Sequence, residues 1–527
     1  MDKNKDSDLT LIEKAFDKLE PYKEIWLEHE LYYRSRHSTK QLKKLEKRGR
    51  SKLFISTTRN TVNIVRSIFS NSFFSQGCPI EIININNKGG ERERNITKII
   101  KYYYEKKKPR KELNKAFLSA LLYNMGIVIT YWDDIKKRVA TFHVPITDIA
   151  FDADARNIDD VEYVAYRFNE SMSQIKSKIK SNIYDKATAK ELFSEEQLNG
   201  SSLRRYEVKE IYKRSGNRWV YKTFCNGKLI RKSKVKKIPF NYGIALESIA
   251  SIDDAERAEQ ILVYGESLVN QIKHLNDEIN QKRNQKNDIQ EEMINPSVMV
   301  GDKSQVNPND LKKGAGKRIR VKGSLSEIKF VPTPNDYPIN SDLAFLDKDL
   351  GEASGVNSIQ NGNTSSSDRR SGEALAIVNS NSTTRIADMI DLINETLFEH
   401  WAKDFVRLVM ANADDRVIDK ITGEVNYFGA KGRRDEFEFE LKINFGMTLD
   451  KEKRISDLIN ILLPITQNQN INPKIAERVL KEALSIRFGD AEFLDDMANT
   501  NSEEVPPLDE NEKRVAKELN MLGSQKV

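Results

Sequence analysis

Residues that could carry chemistry are few in this chain of 527 residues, and their spacing is unfavourable. The histidines are far apart and lack cysteines or carboxylates at the intervals that a zinc site needs. They are His29, His37, His143, His274 and His400. Each is better explained as a structural or exposed residue. We therefore expect no catalytic residue, no metal site and no cofactor.

A phosphate-binding loop is the next candidate. Gly314-Ala315-Gly316-Lys317 has the glycines and the lysine of such a loop. However, Arg318 stands where the loop needs Ser or Thr, and no glycine lies five positions before Gly316. The stretch does not predict a nucleotide site.

An acidic cluster is formed by Asp152, Asp154, Asp159 and Asp160. Carboxylates at this density could bind a divalent cation. A solvated loop, or a salt-bridge patch to arginines of another subunit, explains them more simply.

The bulk composition is that of a globular protein with two or more domains, since 38% of the residues are hydrophobic. The net charge of +7 is small for 86 basic and 79 acidic residues, which argues against a protein whose main task is to grip DNA. Cys78 and Cys225 cannot build a disulfide framework and suit a reducing compartment. No apolar run follows residues 1–5 and none reaches membrane-span length, so we expect no signal peptide and no membrane partner.

The elements that must position any site are clearest between residues 253 and 408. A helix is predicted from about Asp253 to Met293, with a narrow apolar seam at helical spacing. The seam residues that we take as candidates for contacts between subunits are Leu268, Ile272, Leu275 and Ile279. The stripe is too thin to bury a lone helix of this length, so we expect neighbouring copies to supply the missing contacts.

Asn295-Pro296 ends this helix, because proline disfavours the α conformation in the residue before it. Short strands are predicted at 297–301, 318–323 and 327–331, followed by a helix that begins near Asn340. Residues 356–384 are rich in Asn, Ser and Gly and predict a mobile loop. A second long helix follows, with a well-filled apolar stripe from Ile386 to Leu408 that predicts burial.

The flanking regions predict a mixed α/β body. Residues 8–48 are predicted helical, with a basic second half that could meet DNA or an acidic protein, although a solvated helix face is the simpler interpretation. A helix is predicted at 113–123, a hairpin at 127–143, and a strand group at 207–231 turning at Asn226-Gly227. Residues 436–445 predict a further strand, with helices beyond it.

In this order of elements the chain resembles the portal, or head-to-tail connector, proteins of tailed bacteriophages, most closely those of short-tailed phages. The likeness covers roughly residues 20–465. The stretches that carry it are 144–152 with 161–165, Ile238-Pro239-Phe240, Asn295-Pro296, 347–356 and 385–389. A short clip and the absence of a long C-terminal coiled coil depart from the family pattern.

The resemblance implies an α+β fold with a mixed α/β wing, a long α-helical stem hairpin, a small β clip and a C-terminal helical crown. The implied segments are the wing 1–252, stem helix 1 at 253–294, the clip 295–340, stem helix 2 at 341–356, the tunnel loop 357–383, the wing helix 384–425 and the crown 426–527. It also implies a ring, usually a dodecamer, at one capsid vertex, assembled in the host cytoplasm. The implied partners are double-stranded DNA in the channel, the terminase motor, a tail adaptor, and the major capsid and scaffolding proteins.

On that map the candidates for DNA contact are Arg369 and Arg370 in the loop, with Lys282, Arg283 and Lys286 on the stem. Carboxylates near the stem cations make ion pairs between helices the simpler role for those three. Two other function classes remain open: a coiled-coil structural adaptor, and a nucleic-acid packaging or replication enzyme without a recognisable active site.

Overall fold

The computed structural model describes residues 7–47, 51–74, 77–84, 91–134, 136–156, 158–193, 204–253, 255–256, 260–294, 297–300, 328–331, 337–356, 385–423 and 439–443. The chain divides into two compact units, Met1–Phe445 and Gly446–Val527, and the second lies wholly outside the described residues. The predictions for the tunnel loop, the glycine-rich stretch at 314–317 and most of the crown also fall outside them.

The described part of the chain is a mixture of helices and antiparallel strands. The helices are α1 (Ser7–Asp17), α2 (Glu20–Tyr33), α3 (Thr39–Lys47), α4 (Thr57–Phe74), α5 (Glu91–Lys106), α6 (Arg110–Tyr123), α7 (Met172–Lys180), α8 (Lys186–Leu192), α9 (Leu268–Ile294), α10 (Tyr337–Ser354), α11 (385–412) and α12 (Asp415–Thr422). The strands are β1 (Ile80–Asn84), β2 (Met125–Asp133), β3 (Arg138–Val144), β4 (Ile149–Phe151), β5 (Tyr163–Ser171), β6 (Arg205–Ser215), β7 (Arg218–Cys225), β8 (Lys228–Val235), β9 (Phe240–Ile244), β10 (Val298–Val300), β11 (Ile328–Phe330) and β12 (Phe439–Ile443). This confirms the predicted α+β class.

Two antiparallel sheets form the centre of the body. One has the strand order β3-β2-β9 and the other β4-β5-β6-β7-β8. Helix α6 packs on the first sheet, and aromatic residues from both sheets share one core, with Phe240 of β9 lying 5.1 Å from the Tyr166 ring of β5. The sheets therefore stabilise each other through their facing apolar surfaces.

The hairpins follow the turn chemistry of the sequence. Asn226 and Gly227 adopt φ angles of 48° and 80°, the left-handed conformation that a two-residue hairpin turn requires. The predicted hairpin at 127–143 is present, with Ile127 paired to Val144 and Asp133 to Arg138. The predicted helix at 113–123 is also present as part of α6.

Helix α11 is buried as its apolar stripe predicts. It is continuous from 385 to 412 and includes one π-helical segment, Asn394–Phe398. Trp401 is fully buried and its indole N–H donates to Thr141 Oγ1 of β3 at 3.1 Å. Phe398 stacks on Phe73 of α4 with ring centroids 4.4 Å apart. The helix is therefore part of the body core.

The prediction that residues 8–48 are helical is confirmed over most of that range by α1, α2 and α3, which are separate helices because Pro21 starts a new helix and Ser35 takes a positive φ of 55° after α2. The predicted start of the first stem helix needs correction. Helix α9 begins at Leu268 and not near Asp253. Gly265 has φ +54°, and a Cβ there would meet Ser248 Oγ at 2.0 Å, so the chain turns at this glycine before the helix starts.

The smaller β predictions are confirmed where the structure describes them. Strands β10 and β11 pair antiparallel, with Val298 opposite Phe330. The predicted strand at 436–445 corresponds to β12, which pairs with β1. The predicted strand at 318–323 lies outside the described residues.

Candidate functional site

The pair of helices α9 and α10 contains the stem residues that the sequence analysis singled out. Lys282 forms an ion pair with Asp342 at 2.7 Å, and Lys286 donates to Asn340 Oδ1 at 2.6 Å. As the residue number rises on α9 it falls on α10, so the two helices run antiparallel. They connect the body to the strand pair β10 and β11, which directly follows α9.

The two halves of α9 have different surroundings. The buried residues of this helix lie between Leu268 and Asn280, and none of the described residues after Asn280 is buried. Met293 and Ile294 at its end are 53% and 61% exposed. The first half is thus packed in the body, and the second half is supported mainly by α10.

This arrangement bears on the prediction that the seam residues contact neighbouring copies. Leu268, Ile272 and Ile279 are already buried within the single chain, and Leu275 is half-buried. Helices α2, α4, α6 and α10 of the same chain cover α9. These residues therefore do not require a second copy to remove them from water, and a contact between copies at this seam stays a prediction.

A row of polar side chains on α9 was missed by the sequence analysis. We call Asn276, Asn280, Asn284 and Asp288 the asparagine ladder, because they stand four residues apart and bind one passing segment, residues 51–58. The backbone N–H groups of this segment donate to them: Thr58 to Asn276 at 3.2 Å, Ile55 to Asn280 at 2.7 Å, Leu53 to Asn284 at 2.8 Å and Ser51 to Asp288 at 2.8 Å.

The spacing of the ladder matches an extended chain. Four helical residues rise ~6 Å, and two extended residues advance ~6.6 Å, so from Ser51 to Ile55 every second N–H meets the next ladder residue. The last step, from Ile55 to Thr58, spans three residues because α4 begins at Thr57. Asn284 also donates from Nδ2 to Leu53 O at 2.9 Å, completing a two-way pair like that between two strands. The segment thus pairs with side chains of a helix in place of a neighbouring strand.

The stem cations proposed for DNA contact are brought close together on α9, but two of them are engaged. The hydrogen bond to Asp342 holds the pKa of Lys282 above its usual value. Lys286 is held by Asn340, whereas Arg283 is exposed. The ion pair of Lys282 agrees with the interpretation that these cations pair between helices. Its partner is Asp342 on α10 and not one of the carboxylates on α9. Arg369 and Arg370 lie outside the described residues.

The acidic cluster is a loop whose first member organises the turn. Asp152 is buried and its carboxylate accepts backbone N–H groups of Asp154 at 3.2 Å and Glu162 at 3.4 Å. Asp154 is exposed and pairs with Lys18 at 3.5 Å. Within the described ranges, no three His, Cys, Asp or Glu side chains are placed to hold a metal ion.

Two histidines, the buried His29 and the half-buried His143, are kept neutral by their removal from water. His143 Nε2 lies 2.9 Å from Ser119 Oγ, and burial lowers the pKa of His143 to about 4. Glu112 accepts the backbone N–H of His143 and does not contact its ring, so it does not orient the imidazole as a base. His29 is buried, with Nδ1 2.9 Å from Leu122 O, and burial lowers its pKa. These contacts are structural.

Comparison with known protein families places the chain among the phage portal proteins. The matching family is described as Phage SU10 portal protein, and the match spans residues 134–525, well over half of the chain. The chain belongs to this family, and SU10 is a short-tailed phage, which confirms the resemblance seen in the sequence. The family is structural and non-enzymatic. No curated protein matches the chain.

None of the helices in the described ranges combines the length and the apolar character that a membrane crossing demands.

Proposed function

We propose that the chain is the subunit of a portal ring at one capsid vertex, through which double-stranded DNA enters during packaging and leaves during ejection. The observation that carries this proposal is the family match over residues 134–525, since the family implies an oligomeric ring that interacts with DNA and capsid. The antiparallel pair α9 and α10 supports it, because this pair occupies the place of the stem in the order of elements.

The regional assignments are part of the same proposal. The wing comprises residues 1–252 and the long helix 384–425, and the stem comprises 253–294 and 341–356, with α9 beginning at Leu268. Residues 295–340 form the clip, residues 357–383 the tunnel loop and residues 426–527 the crown. The partners are terminase, a tail adaptor, and the capsid and scaffolding proteins, and the ring resides in the virion. A dodecamer is the copy number that we propose.

The test is direct observation of the ring. Full-length protein is purified and studied by negative-stain electron microscopy and native mass spectrometry at micromolar concentration. We expect rings with a central hole and one dominant mass near twelve subunits. A folded chain that remains monomeric under both methods, over a range of salt concentrations, contradicts the proposal.

A further inference from the structure

A cluster of exposed aromatic rings with one exposed and two half-buried cations, which we call the hairpin patch, surrounds the turn between β2 and β3. It consists of Tyr102, Lys106, Lys107, Tyr131, Arg138 and Phe142. Tyr131 and Phe142 are each 42% exposed and stack with ring centroids 6.1 Å apart. Exposed aromatics grouped with cations are typical of protein interfaces.

The cations of the patch bind mainly uncharged acceptors. Lys107 Nζ lies 3.3 Å from the centroid of the Phe142 ring and donates to Thr141 O at 3.3 Å. Arg138 donates to Lys106 O at 3.3 Å, and Lys106 Nζ donates to Lys137 O at 3.4 Å. Backbone carbonyls satisfy hydrogen bonds without cancelling charge. Burial and the neighbouring Arg138 accordingly lower the pKa of Lys107, and Glu112 and Asp133 offset only part of this effect.

The geometry of the rings favours carboxylates as the partner. Lys107 already covers one face of Phe142, and Tyr131 stacks against the same ring, so the faces of Phe142 are already in contact with groups of the protein itself. Ring edges carry partial positive charge, which adds to that of the lysines. Stacking by nucleic-acid bases needs open faces, whereas protein carboxylates with apolar neighbours suit this surface.

A surface of opposite charge lies at the other edge of the same sheet. Lys107 binds Thr141 on β3, one edge strand, while Phe151, which directly precedes the loop 152–162, packs on Tyr242 of β9, the other edge strand, with ring centroids 5.6 Å apart. Asp159 is close enough to Tyr242 of β9 to contribute, after burial, to the raised pKa of that tyrosine. The exposed acids of this loop are Asp154, Asp159, Asp160 and Glu162. They outnumber the cations beside them, which are Arg156 of the loop itself, Lys18, paired with Asp154, and Arg214, which donates to Asp159 O at 2.8 Å.

We propose that the hairpin patch of one copy receives the acidic loop 152–162 of a neighbouring copy. This inference rests on the proposed ring. A contact between two different surfaces repeats from copy to copy and closes into a ring when the rotation allows it. Complementary surfaces on opposite edges of one sheet meet that requirement, because each copy can present its loop to one neighbour and its patch to the other.

Charge reversal tests the pairing with full-length protein. Variant A carries Lys106→Glu in the patch with Lys136→Glu in the adjoining turn, both at exposed positions, and variant B carries Asp159→Lys with Glu162→Lys. Each variant alone brings like charges together, so we expect its ring population to fall more than about tenfold in native mass spectrometry. Mixing A and B in equal amounts should restore rings in which the two variants alternate, because each reversed patch then meets a reversed loop.

The controls separate this inference from the proposed function. Lys43→Glu with Lys44→Glu changes the charge by the same amount on the exposed helix α3 and should leave rings intact. Circular dichroism checks folding. If variant A misfolds, the milder variant Lys106→Gln with Lys136→Gln replaces it, and its ring population should be smaller than that of the wild type.

Absence of rings in the wild type refutes the proposed function. Wild-type rings together with normal rings of A and B, or a mixture that stays dissociated, refute the pairing alone. Intact rings of A that lose binding to a single-stranded oligonucleotide assign the patch to nucleic acid and also refute it.

Discussion

Asn280 shows how one side chain decides the position of a distant segment. It is buried, and its Oδ1 accepts the N–H of Ile55, which lies 225 residues earlier in the chain. If an amide N–H inside the body loses its acceptor, its desolvation penalty is no longer offset by a hydrogen bond. The ladder residues therefore act on the backbone of residues 51–58 more than on the helix that carries them.

Removing a ladder residue should loosen this segment. We expect Asn280→Ala to lower the free energy of unfolding by about 1–3 kcal/mol, because the Ile55 N–H is left without a partner. Amide hydrogen exchange at Leu53 and Ile55 should accelerate. The control is Asn287→Ala, since Asn287 is exposed and reaches only Ser51 Oγ at 3.4 Å. Equal exchange rates in both variants would show that the ladder does not hold the segment.

His143 makes stability depend on pH. Its pKa is lowered to about 4 in the folded protein, below the ordinary 6.5, so the unfolded chain binds the proton more tightly. The contribution of neutral His143 to the free energy of unfolding is then fully present above pH 6.5. It is lost as the pH falls toward 4, by up to about 3 kcal/mol. His143→Gln should flatten this dependence in denaturant unfolding at pH 7 and 4.5, whereas the exposed His274→Gln should not. A wild-type slope retained in His143→Gln contradicts this assignment.

At the scale of elements, the sequence predicts the helices and turns whose conformation is set by residues close to them in the sequence. The turn at Asn226 and Gly227 and the stripe of α11 follow from local conformation and helical spacing. The start of α9 does not, because Gly265 turns against Asn124 and Ser248, which come from distant parts of the chain. The ladder had a visible signal, Asn or Asp at every fourth position from 276 to 288, but its meaning depends on a segment more than 200 residues away.

The strand pair β10 and β11 gives a prediction about the proposed clip. A two-stranded pair is too small to be stable alone, so we expect the clip to be completed by contacts with the adjacent copy. Deletion of residues 300–330 should damage ring formation or motor docking while the wing stays folded. Native mass spectrometry reports the rings, and circular dichroism reports the wing. Normal rings and normal packaging in the deletion variant would show that this region is not the clip.

At the scale of the whole molecule, family membership decides between function classes that the sequence left open. The nucleic-acid enzyme and the coiled-coil adaptor both lose their support, since the matched family is a structural family of portals. The structure alone does not make this choice. The sheets and helices of the described residues fit a portal subunit. The ring and its channel need several copies, and they are inferred from membership of the family.

The proposed channel contact can be tested in the assembled particle. Arg369 and Arg370 are adjacent cations in a segment rich in Ser, Asn and Gly, where contacts with successive phosphates can form and break. We expect Arg369→Ala with Arg370→Ala to leave rings intact while changing DNA packaging or retention, with an effect that shrinks as salt rises. Lys43→Ala with Lys44→Ala is the matched control. Packaging and retention equal to wild type across the salt series would leave these residues without a DNA role.

The asparagine ladder also has a mechanical consequence. Its four rungs lie along the axis of α9, one turn apart, and all join the same segment. A load applied along that axis stretches all four hydrogen bonds at once, in shear, and no rung fails before the others. A load applied across the axis peels them one after another from an end. The attachment of residues 51–58 to α9 is thus stiff along the helix and weak across it.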